Sequence, residues 1–375
     1  MPSSIDASSP QPSTTLSSSP WMLARRLSSL IVLLSATSVP AANAQAAGHK
    51  FEGESARPFH VLHKIPVPGD GGYDFVYLDE AAHRLYLAHA TEVAVIDTTS
   101  QSVIGVIAGL VGAHGISVAP GIGKGFITNG KSDMVTVFDP KTLKATGEIK
   151  STGKGPDALT YDPAARQLFV FNHASGEVTV IEPGTNKVTM TLNVGGALEV
   201  GRVDGHGNVW VNVEDRSEIV RIDSKKMVVA GRYPLAPCEE PTGLAVDAKH
   251  RRLFVGCGNK MMAVVNATTG KVVTTLAIGP GVDGTEFDPT TGDVFNACGK
   301  DGTLSVIHQD TADSYHVVQN LSTQLGARTL AVDTSSHRVF LAAAQFGDKP
   351  APSETTPKPR APILPGTFVV LVVGK

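Results

Sequence analysis

One pattern recurs seven times along the chain, and it limits the fold more than any other feature. The clearest copy occupies residues 156–196, PDALTYDPAARQLFVFNHASGEVTVIEPGTNKVTMTLNVGG. Period-two alternation of apolar and polar residues predicts four short strands there, at 157–161, 167–172, 177–182 and 187–193, each bounded by Pro, Gly, Asn or Asp. Anchored on the residue that ends the first strand, the copies fall at Asp79, Ala119, Asp162, Asp204, Asp247, Asp288 and Asp333, 40 to 45 residues apart.

A four-stranded antiparallel meander of this length cannot bury both of its faces alone. It does so against copies of itself arranged in a ring, so the repeat predicts an all-β seven-bladed β-propeller. The last copy is incomplete: strands are expected at 328–333, 339–343 and 367–373, and then the sequence stops. Residues 59–65, ahead of the first copy, are expected to supply the missing outer strand, so that pairing of the N- and C-terminal strands closes the ring and removes open sheet edges.

Although 375 residues suggest two or three domains by length, the repeat makes 58–375 a single propeller, preceded by a flexible segment at 45–57. A Pro-rich stretch, 346–366, reads as a loop inserted in the last blade, either a tolerated insertion or a cover over the face from which it emerges. The formal net charge of −3 and the 18% of charged residues describe an ordinary soluble surface without the basic footprint of a nucleic-acid binder.

The N-terminus reads as a targeting segment. Arg25 and Arg26 precede an apolar run at 27–39, followed by Ala42-Asn43-Ala44, a small-residue cleavage signal before Gln45. Residues 1–44 are therefore expected to be a signal peptide, with Met22 as an alternative start. The thirteen residues of its apolar run fall short of the roughly 20 that a membrane span needs. The mature protein is expected in the periplasm or secreted, without a membrane span and as a monomer.

The second-strand sequences Phe126-Ile-Thr-Asn129, Phe169-Val-Phe-Asn172 and Val209-Trp-Val-Asn212 resemble the YVTN motif of bacterial propeller repeats, the family of the YncE-like proteins. The resemblance runs from about residue 57 to 375 and implies an exported seven-bladed propeller, with no assigned reaction attached. In the remaining blades the Asn position reads His89, Cys257, Cys298 and Ala343.

Two rings of side chains follow from the repeat on one face, here called the top. The first, at the start of each innermost strand, is Asp74, His114, Asp157, Glu199, Thr242, Asp283 and Arg328; the second, at the end of the next strand, is His89, Asn129, Asn172, Asn212, Cys257, Cys298 and Ala343, with Asn212 placed by its motif because its hairpin is one residue short. Four carboxylates around one axis repel one another unless a cation, a proton or a basic ligand compensates. Carboxylates with Asn amides suit Ca or Mg, whereas His114 and His89 with carboxylates suit Zn. The competing reading is that Asp74, Asp157 and Asp283 merely cap turns. His114, Glu199 and Arg328 carry more information, because each breaks the pattern set by the other blades.

Other motifs are decoys. Gly125 to Ser132 matches a P-loop letter for letter, but its middle residues read as a strand followed by another strand rather than by a helix. His83, His250 and His337, with Arg84, Arg251 and Arg338 beside them, fall in hairpins on the opposite face, where Asp and Arg are expected to pair across the turn. No G-x-S-x-G, H-E-x-x-H or C-x-x-C occurs. Of the three cysteines, Cys238 lies in the loop leading into blade five and Cys257 ends that blade's second strand on the same face, so these two are expected to form a disulfide and to leave Cys298 free.

The sequence thus favours an exported scaffold holding a metal, small molecule or protein partner in a polar top-face funnel, through Asp74, His114, Asp157, Asn172, Glu199, Asp283 and Arg328. Within that set Glu199, Asp283, Asp157 and His114 are the candidate ligands of a divalent cation. The alternative is a metal-dependent hydrolase or lyase of lactonase-like layout, with Glu199, Asp283 and Asn172 on the cation and His114 or His89 as general base. The signal-peptide reading predicts that protein exported by its native host begins at or near Gln45 in an intact-mass measurement; retention of residues 27–39 would sink it.

Overall fold

The computed structural model describes residues 57–69, 71–353 and 359–375, so the expected signal peptide and most of the segment at 45–57 lie outside the described residues. Seven four-stranded antiparallel sheets are present, each a meander in chain order except the last. Blade three, for instance, consists of Pro156–Asp162, Gln167–Asn172, Glu177–Glu182 and Lys187–Asn193. The innermost strand of each blade packs on those of its two neighbours, and that of blade seven packs back on that of blade one, which makes the ring.

Burial follows strand position. The two middle strands of a blade are covered on both faces, so they read as continuous apolar runs such as Leu168-Phe-Val-Phe171, which is wholly buried. The outermost strands alternate between half-buried and exposed positions, as in Ser102–Ala108. The hydrophobic clusters lie between blades: Phe169, Phe171 and Val180 of blade three pack with Val209, Val211 and Val220 of blade four. Space there is tight, since a Cβ on Gly201 of blade four would lie 2.1 Å from the Phe171 ring.

Blade seven has the order His60–Pro66, Val369–Gly374, Arg338–Ala343, Leu330–Asp333. His60 faces Gly374 and Pro66 faces Val369, so the N-terminal strand is the outer strand of the last blade, as the repeat predicts. The P-loop-like string is the strand Lys124–Asn129, a turn, and the strand Met134–Asp139. Cys238 and Cys257 form a disulfide with 5.5 Å between their Cα atoms, and Cys298 is free and buried.

The lower hairpins depart from expectation. Their Asp residues cap the turns, with Asp162 Oδ1 accepting from the amides of Ala164 and Ala165 at 2.8 and 3.1 Å, and they pair with histidines rather than arginines: Asp247 with His250 at 2.6 Å and Asp288 with His337 of the next blade at 2.7 Å. Two arginines reach to the neighbouring blade instead. Arg84 donates to the Pro140 carbonyl, and in blade five it is Arg252, not Arg251, that reaches Asp313 at 2.6 Å. A long side chain at the start of a second strand lies nearer the adjacent hairpin than its own turn.

Deleting the ring of Phe171 leaves a cavity that two rigid sheets cannot collapse to fill. Phe171→Ala is expected to cost about 3–5 kcal/mol in a denaturant titration, against less than about 0.5 kcal/mol for the surface change Val188→Thr.

Candidate functional site

The first ring converges as the register requires. In six blades the innermost strand bulges near its start, where the ladder advances three residues on one side for two on the other, or by a comparable slip. The bulge turns the residue at that point toward the axis. Asp74, His114, Asp157, Glu199, Asp283 and Arg328 all line one hollow of about 430 Å³ on the top face, and Thr242 lines a second hollow beside it.

Bases bridge these carboxylates around the ring. Arg328 Nε meets Asp283 at 2.7 Å, and its second nitrogen meets Asp74 at 3.3 Å. His114 Nδ1 touches Asp74 on one side and Asp157, 3.1 Å away, on the other. His173 Nδ1 lies 3.0 Å from Glu199. Acids and bases therefore alternate through six blades, and the chain of pairs is interrupted at blade five, where neutral Thr242 donates to the Val282 carbonyl at 3.0 Å.

The titration of these groups follows from the pairing. Burial alone would lower the His114 pKa, but hydrogen bonds to Asp157 and Asp74 and the charges of both hold it up at about 10. The hydrogen bond to Glu199 carries His173 up to about 9 against the effect of burial. Burial pushes Glu199 and Asp157 up as well, and Asp283 up to about 6 against the pull of Arg328.

The second ring is not part of the funnel. Asn172, His89, Cys257 and Cys298 are buried between sheets. Asn172 donates to the Glu177 carbonyl and to Thr179 and accepts from Ser151, while His89 stands edge-on to Phe368 with ring centroids 4.3 Å apart. Asn172 as a ligand and His89 as a base are thereby displaced from the site, because the end of a middle strand points its side chain into the blade interface. Asn212 is also out of register. The blade-four hairpin is one residue short, so Leu198 pairs with Val213 where Pro156 pairs with Asn172, and Asn212 donates instead to the Thr242 and Gly243 carbonyls of blade five.

Sequence reading missed three features. His173 and Glu214 follow the second ring at the position held elsewhere by Ala90, Gly130, Gly258, Gly299 and Ala344. Two large polar residues among five small ones are a break in the repeat that an aligned reading would have exposed. Deeper in the channel, Arg202 and Glu286 occupy one position of blades four and six and pair at 2.5 Å in a hollow of about 250 Å³. Phe75 lines both this hollow and the funnel, and so lies between them. Finally, Arg360, from the segment between the second and third strands of blade seven, lines the funnel mouth.

Two groups of side chains have the composition and spacing of a metal centre: Asp74, His114 and Asp157, and Asp157, His173 and Glu199, with one ligand atom from each within 4.8 Å of the others. Asp157 belongs to both. Imidazole with carboxylate oxygens is a donor set for Zn or another transition ion rather than for Ca or Mg.

Seven four-stranded sheets around an axial funnel define a seven-bladed β-propeller. The chain is 23% identical over 217 residues to the uncharacterized protein YncE of Salmonella typhimurium, a match covering 58% of this chain and 49% of that protein, about half its length. The ring shows the propeller fold, and the sequence likeness is to a YncE-like protein. No family model matches the chain. Among solved structures it is similar in fold to a chain of Kuenenia stuttgartiensis hydrazine synthase, with a TM-score of 0.61 and 16% identity over 75% of this chain and 94% of that one. It is also similar to a chain of a mitotic checkpoint complex, with a TM-score of 0.67 and 14% identity over 82% and 96% of the two chains.

The paired histidines set the direction of the pH response. A histidine raised from 6.5 to about 9 or 10 contributes stability that is full below pH 6.5 and lost as pH rises through those values. The raised carboxyls act in the same direction, since the folded state holds their protons longer than the unfolded chain does. The thermal midpoint of metal-free protein is expected to fall between about pH 7 and pH 10, and His114→Gln to flatten that slope; a midpoint that rises over this range contradicts the assignment.

Proposed function

We propose that this protein is an exported binding scaffold whose top-face funnel holds a divalent transition-metal ion in competition with the protons of His114 and His173. The observation that carries this reading is Asp157, shared by two histidine–carboxylate groups whose ligand atoms lie within 4.8 Å of one another. Each imidazole Nδ1 already points at a carboxylate, so a cation entering there replaces a proton and inherits its oxygen partners. Export is supported by the N-terminal sequence and fits the Cys238–Cys257 disulfide. Among the described residues no helix is long and apolar enough to cross a membrane.

The hydrolase alternative keeps Glu199, Asp283 and His114 in the funnel but loses Asn172 and His89 to the blade interfaces. Among the described residues no arrangement of a nucleophile and base favours it over binding.

Zinc titrated calorimetrically into metal-free protein tests the proposal. Binding is expected to be tighter at pH 8 than at pH 6, because the histidine protons must leave, and Glu199→Gln or His173→Gln is expected to weaken it by about tenfold or more. Zinc affinity indifferent to both variants and to pH would remove the funnel as the site.

A further inference from the structure

Beside the funnel, over blades four to seven, lies a second hollow of about 530 Å³, within the range of about 300–1,000 Å³ common to small-molecule sites. Its charges are arranged differently from those of the funnel. Glu214 and Glu240 stand on the side of blades four and five, Lys300 and Arg360 on the side of blades six and seven. Among the described residues none of these four is in an ion pair, although all line one cavity. The adjoining funnel charges Asp283 and Arg328 are already committed to each other.

Glycines between them leave room for the charged side chains. A Cβ on Gly258 would come within 2.7 Å of Glu240 Oε2, and one on Gly281, whose φ is +72°, within 2.5 Å of the Lys300 stem. The Glu240 loop is also anchored covalently, since Cys238 two residues earlier is bonded to Cys257, the neighbour of Gly258. Among the described residues no ion pair joins the two carboxylates to the two cations across this space.

We propose that this hollow binds a small zwitterion, an amino acid or short peptide, with its ammonium group at Glu214 and Glu240 and its carboxylate at Lys300 and Arg360. A simple cation or anion would answer one side only, whereas a ligand carrying both charges at separated ends matches both. The proposal rests on the top face as the binding face and not on the metal in the funnel.

Alanyl-alanine dipeptide titrated into the full mature protein in excess EDTA is the test. Saturable binding is expected, weakened by about tenfold or more when the peptide is N-acetylated or C-amidated, and likewise in Glu240→Gln and Lys300→Gln protein that melts as the unaltered protein does. Equal binding of the blocked peptides, equal binding by both variants, or no saturable binding up to about 10 mM overturns the proposal. Because EDTA excludes the metal, the outcome is independent of the zinc measurement.

Discussion

Each blade has two apolar faces, and each face is covered by the next blade. Phe169 and Phe171 of blade three have no core of their own; their cover is the Val209–Val211 strand face of blade four, and the same holds around the ring. Burial of apolar area at roughly 25 cal/mol per Å² is the dominant favourable term in such a fold, and here nearly all of it is generated at interfaces between repeats. The seven innermost strands are therefore held at fixed angles around one axis. That fixed placement brings single side chains from distant parts of the sequence within hydrogen-bonding distance.

The funnel exploits this placement. One residue at the start of the innermost strand in each blade, with His173 beside them, yields a ring in which acids and bases can alternate, and the pairs Asp283–Arg328, His114–Asp157 and His173–Glu199 each bridge residues from different blades. Charge that would be repulsive in any one sheet is balanced between sheets. Where the alternation stops, at Thr242, the surface opens into the neighbouring hollow with unpaired charges of both signs. The top face thus has a self-compensated half and an uncompensated half.

The repeat made the fold, the closing strand and the first ring legible, because each rests on periodicity and on a register that all blades share. The second ring was misread for a physical reason. Period-two reasoning gives the height of Asn172 on the blade but not whether the strand end faces the axis or the adjacent sheet. Asn212 was misplaced by a one-residue shortening of a turn, which moves the ladder by one and sends every later side chain to the other face. His173 and Glu214 were visible only by comparing one column across all blades, and Arg202–Glu286 needed the knowledge that two positions two blades apart face each other across the channel.

The closing ladder of blade seven has a geometry that matters for force. His60 lies opposite Gly374 and Pro66 opposite Val369, so the outer end of the N-terminal strand and the outer end of the C-terminal strand sit side by side. A load applied between the two chain ends would peel this ladder open one pair at a time, beginning at His60, instead of shearing all its hydrogen bonds at once. The ladder that closes the ring is therefore loaded in its weaker direction when the ends of these two strands are pulled apart.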